Sequence, residues 1–156
     1  MKGNANGQIK ATSAVISASH FPVEWPDDPD SEPPPGKQLA QALLDDMLRT
    51  SFFRAPKATL DDHSYEHSSW CFRIVARSAS YWVDLEGDSD RRQKTTRWRV
   101  SIRKYRGVLK ELFGSPDYDV PDECLLLLKE SICRVFGIDQ IEWLTERAAM
   151  AAFFDP

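Results

Sequence analysis

The sequence predicts an α+β domain: a three-stranded antiparallel meander packed on one face by helices, in the order α-β-β-β-α-α. Two patterns predict it, an alternation of apolar residues between Trp70 and Ile102 and a helical spacing of apolar residues on either side of that stretch. At a period of two, Trp70, Phe72, Ile74 and Ala76, then Tyr81, Val83 and Leu85, then Trp98, Val100 and Ile102 fall on one face. A slip of one residue would turn each set to the other side, so the face assignment is strongly constrained. A turn around Ser78 and Ala79, or a four-residue loop from Arg77 to Ser80, opposes Ala76 to Tyr81, Ile74 to Val83 and Phe72 to Leu85. The same register sets Arg73 opposite Asp84, and a return that matches Leu85 with Trp98 sets Arg99 opposite Asp84 and Arg97 opposite Glu86.

Residues 1–36 read as a Pro-rich acidic arm or linker, and residues 37–156 as a single α+β domain. Pro22, Pro26, Pro29, Pro33, Pro34 and Pro35 exclude helix and central strand from the end of the arm. The β-rich piece Thr12 to Ser19 offers an N-terminal edge strand. Leu39, Leu43 and Met47 place a helix from about Lys37 to Thr50, which Pro56 keeps from continuing. Residues 58–69 are polar and read as a loop. After the third strand, Gly107 to Phe113 is expected to form a short helical turn closed by Gly114. Asp119 is expected to cap a longer helix that runs to Phe136, stops at Gly137, and buries Leu125, Leu128, Ile132 and Val135, with Leu126, Leu127 and Phe136 widening the stripe. Asp139 and Glu142 suggest a last helix from Ile141 to Phe153, with Ile141 to Leu144 as an alternative short strand. Its apolar end, with Trp143, Met150, Phe153 and Phe154, is expected to pack on the domain or on a second copy of the chain.

The outline helix, three antiparallel strands, helix resembles the double-stranded RNA binding domain in topology alone. Where such domains carry a basic cluster at the start of the second helix, this chain has Asp122, Glu123 and a run of leucines. The chain also resembles, as a class of behaviour, small acidic bacterial partner proteins such as secretion chaperones and immunity proteins.

With 156 residues, 42% of them hydrophobic, the chain suffices for one core of ordinary size. It has no run of the roughly 18 apolar residues that a membrane span needs. Its first twenty residues lack the apolar block of a signal peptide, so a cytoplasmic protein without membrane contact is expected. Cys71, Cys124 and Cys133 form an odd count without a CxxC pair, consistent with reduced thiols. The net charge of −4 hides an asymmetry: eleven of the 20 Lys and Arg, but only four of the 24 Asp and Glu, lie between Trp70 and Lys110. One pole of such a molecule suits a charged partner.

His63, His67 and Cys71 recur at four-residue steps, which on one helix would line up like zinc ligands. The strand that starts near Trp70 breaks that register, and Ser64 stands where an HExxH motif needs Glu. GxSxG, P-loop and GxGxxG patterns are absent, so no catalytic residue and no cofactor is assigned. The expectation is a non-catalytic protein-binding module of inhibitor, immunity, chaperone or adaptor type, with another protein or a second copy as partner. Its expected surfaces are the open sheet face, with Arg73, Arg77, Trp82, Arg97, Arg99 and Arg103, and the C-terminal end. The alternative is a nucleic-acid-binding protein that uses that arginine face and Trp82 for phosphate contact and stacking. A metal-dependent hydrolase around His63 and His67 is the third.

Overall fold

The computed structural model describes residues 10–66 and 68–154. Its strands are β1 (Ser13–Ser17), β2 (Phe53–Arg54), β3 (Tyr65–Glu66), β4 (Ser69–Ala76), β5 (Ala79–Gly87) and β6 (Arg97–Tyr105). Its helices are α1 (Lys37–Leu48), α2 (Val108–Phe113), α3 (Asp122–Phe136) and α4 (Glu146–Phe154). The sheet runs β1-β6-β5-β4-β2, antiparallel throughout and curled into a half-barrel, with the short β3 on β4 beside β2. None of the described helices is long and apolar enough to cross a membrane.

All ten apolar residues assigned to one face of the meander are buried. Against them lie Leu39, Leu43, Leu44 and Met47 of α1, and Leu125, Leu128, Ile132 and Phe136 of α3. The two helices also pack on each other, joined at their rims by Asp46 and Arg134, with nitrogen–oxygen distances of 2.9 to 3.2 Å. Burial works against the ionised Asp46, but the Arg134 and Ser131 hydrogen bonds outweigh it and hold the carboxyl below its usual range.

The register differs from the expected one by two residues in both hairpins. The first turn is Arg77 and Ser78, so Ala76 faces Ala79, Ile74 faces Tyr81 and Phe72 faces Val83. In the second hairpin, Leu85 faces Val100 and Glu86 faces Arg99. Arg77 takes a left-handed φ of 56°, which its side chain type disfavours and which sequence reasoning had no ground to choose. A shift of two leaves every side chain on its own face, so apolar matching cannot detect it.

The stretch read as an arm with an optional edge strand is woven into the described domain. Ser13–Ser17 pairs with β6, and Ile16, Ala18 and Val23 enter the core. Prolines cannot donate to a ladder, but the carbonyls around them can accept, and indoles do the pinning. Trp98 Nε1 donates to the Phe21 carbonyl at 2.7 Å, Trp70 Nε1 to that of Pro34 at 2.8 Å, and Trp25 Nε1 to that of Asp88 at 2.8 Å.

Four local expectations are corrected. α3 begins after Pro121 without a side-chain cap, and Asp119 instead donates its backbone N–H to Asp117. Leu126 is exposed, because α3 buries a single stripe. α4 begins at Glu146, its first turn held by Thr145 Oγ1, which accepts from the Ala148 N–H, while Leu144 bridges to Ser13 of β1. The polar stretch 58–69 contains β3, held to β4 by pairing of Tyr65 with Trp70.

Candidate functional site

The face of the sheet away from α1 and α3 carries the expected arginines, and the register decides what each one meets. Arg73, Trp82 and Arg103 form one row across β4, β5 and β6; Cys71, Asp84 and Ser101 form the next; Ser69, Glu86 and Arg99 form the third. Arg99 lies between two carboxylates, with 2.6 Å to Glu86 and 2.6 Å to Glu146 at the start of α4, and Glu146 also accepts from Ser13 Oγ at 2.7 Å. The Arg99 side chain is only 13% exposed, so its charge is spent inside this cluster. Desolvation would lower the Arg99 pKa, but the hydrogen bonds and charge of Glu86 and Glu146 outweigh it and raise it. Arg97 pairs with Asp88, and Arg103 with Glu111 of α2.

Arg77 sits in the exposed hairpin turn, 2.9 Å from Glu123 and 5.8 Å from the Phe52 ring centroid. Arg73 differs from the others. Its guanidinium lies 5.2 Å from the Tyr105 ring centroid, and among the described residues it has no carboxylate partner. Trp82 meets Tyr105 edge to face, with centroids 5.7 Å apart.

Arg73, Trp82, Tyr105, Cys71 and Asp84 form the floor of a groove of about 540 Å³. One wall is the segment 56–64, and the other is α2 with Val108, Glu111 and Leu112. Cys71 Sγ donates to the Ser64 carbonyl at 2.7 Å on the floor, and His63 stands exposed at the rim. His67 lies outside the described residues. Among the described residues, no three of His, Cys, Asp and Glu are grouped so as to hold a metal ion.

Asp84 is the residue that sequence reasoning misplaced. It was matched with Arg73 and Arg99, but the observed pairing sets it between Cys71 and Ser101. No hydrogen bond or ion pair reaches its carboxylate among the described residues. Burial pushes its pKa up to about 6, and the charges of Arg103 and Arg99 only partly offset that.

A second feature adjoins the groove. α2 exposes Val108 (65%), Leu109 (73%), Leu112 (68%) and Phe113 (85%) and buries none of its residues. Elsewhere, the exposed large apolar side chains among the described residues are Tyr65, Leu126 and, one turn apart on α4, Met150 and Phe154. The expected C-terminal surface is divided: Met150 and Phe154 are exposed, Trp143 packs against the core and Phe153 is fully buried. Phe153 is therefore corrected from a docking residue to a packing one, because α4 lies on β1 and β6. The sequence shows that α2 is apolar but not that it is exposed. Four large apolar residues in a six-residue helix would by themselves predict burial, and only the fold shows them turned to solvent.

Comparison with protein-family models, with curated proteins and with solved structures found no match to this chain.

Proposed function

We propose that this chain is a cytoplasmic, non-catalytic protein-binding module that docks its partner through α2. The observation that carries this reading is the cluster of Val108, Leu109, Leu112 and Phe113, each at least 65% exposed on one short helix. Leaving such a patch in water is costly at roughly 25 cal/mol per Å², and contiguous apolar patches of this kind mark interaction sites. Lys110, on the same helix, has no carboxylate partner among the described residues. The complementary partner is a segment with apolar anchors and acidic residues around them.

The test uses the full chain and a Leu109→Asp, Phe113→Asp double variant as paired baits in native lysate. The expected result is a partner retained by the wild type and by Arg73→Gln and lost by the double variant, with circular dichroism unchanged. A partner retained by the double variant, or none retained by the wild type, would sink the reading. The nucleic-acid alternative has less support, because Arg97, Arg99 and Arg103 are each committed to a carboxylate.

A further inference from the structure

In the groove beside α2, Arg73 and Asp84 carry opposite charges, and among the described residues neither makes an ion pair. Arg73 and Asp84 lie on the same face of adjacent strands, one register step apart on the diagonal, where backbones are about 7 to 8 Å apart. They do not meet each other, and their natural alternatives are taken: Arg103 holds Glu111, and Arg99 holds Glu86 and Glu146. Arg103 and Arg99 favour the ionised Asp84 without bonding to it, and burial outweighs them, so the carboxylate is under-compensated although a sheet could relieve both charges cheaply by pairing them. Around them the groove presents the apolar and aromatic surfaces of Trp82, Tyr105, Leu60 and Leu112, with Cys71 opposite Asp84 and the Arg103–Glu111 pair beside them. The volume of about 540 Å³ lies within the range of small-molecule sites.

We infer that this groove binds a small zwitterion with an apolar frame, an amino acid or dipeptide, whose carboxylate is held by Arg73 and whose ammonium is held by Asp84. The planar guanidinium, braced on the Tyr105 ring, suits a carboxylate approached in its own plane. The apolar side chain of the ligand lies against Trp82 and the α2 wall. This inference goes beyond protein docking and does not need a protein partner.

The experiment is calorimetric titration of the full chain with leucine, phenylalanine and leucylphenylalanine, each beside its N-acetylated and its C-amidated form. The expected result is saturable binding of at least one free zwitterion, weakened about tenfold or more by either blocking group. Asp84→Asn should abolish the penalty for acetylation, and Arg73→Gln the penalty for amidation, each variant weakening the free zwitterion by a similar factor. Because the blocked ligands probe the same contacts in the unaltered chain, a variant that fails to fold leaves the test intact. No saturation by any free zwitterion in the millimolar range would overturn the inference. So would equal binding of free and blocked forms.

Discussion

Asp84 owes its character to a two-residue shift in strand register. Placed between Cys71 and Ser101, it is faced by Arg99 and Arg103 from β6, Glu86 from its own strand, Glu146 from α4 and the Tyr118 phenol, and it bonds to none of them. Its folded pKa of about 6 lies above the ordinary 3.8 because burial disfavours the charge more than the two arginines favour it. A raised carboxyl pKa contributes stability that is fully present below about 3.8 and is lost as pH rises through about 6. Asp84→Asn is therefore expected to be more stable than wild type at pH 8, by on the order of 1 to 3 kcal/mol, with the difference vanishing near pH 4. Urea denaturation at both values checks it. Asp46 has the opposite sign. Burial opposes its charge, but Arg134 and Ser131 win, so its contribution is present above 3.8 and lost as pH falls through the lowered folded value. Arg134→Met leaves that carboxylate, on a residue only 8% exposed, without its cation. A loss of about 1 to 3 kcal/mol at pH 7 is expected by the same measurement, less than for a fully buried pair because Arg134 itself is half exposed.

At the scale of elements, α1 and α2 show how differently a helix is specified. α1 is entered through Gly36 at φ 104°, directly over the Trp98 ring, where a Cβ would stand 2.7 Å from a ring carbon. Gly36→Ala combines a strained backbone with a clash against a buried indole, so a loss of 2 kcal/mol or more is expected, read as a fall in melting temperature. α2 has no such commitment to the core. Leu109→Asp with Phe113→Asp is expected to change stability by less than about 1 kcal/mol, because exposed substitutions remove no packing. A large loss of stability would show that α2 is structural and not a docking helix. The lengths and positions of α1 and α3 follow closely from apolar spacing, since a stripe repeated over three or four turns is hard to mistake. β2 and β3, with two residues each, carry no periodicity to read. They exist because two ends of the outer edge of β4 need backbone partners.

For the molecule as a whole, the N-terminal segment is the test of how the domain is put together. β1 covers the free edge of β6, and residues 18–34 hold the indoles of Trp98 and Trp70 through backbone carbonyls. A chain beginning at Lys37 would expose that edge, uncover both indoles and leave Ala14, Ile16 and Val23 out of the core. The expected outcome is loss of cooperative unfolding by denaturant; a sharp transition of wild-type midpoint would show the segment to be dispensable. Alternating and helical periodicities, local properties of the chain, determined by themselves the α+β class, the three long strands, the buried face and the two principal helices. Only the tertiary structure decided which arginines are neutralised, that Asp84 and Arg73 do not pair with each other, that the proline-rich stretch is pinned to the sheet, and that α2 stands clear of the core. The physical reason is that a period of two fixes which side a residue faces but not which residue it faces. Pairing across strands and cover from distant segments depend on turn conformation and on contacts far apart in sequence.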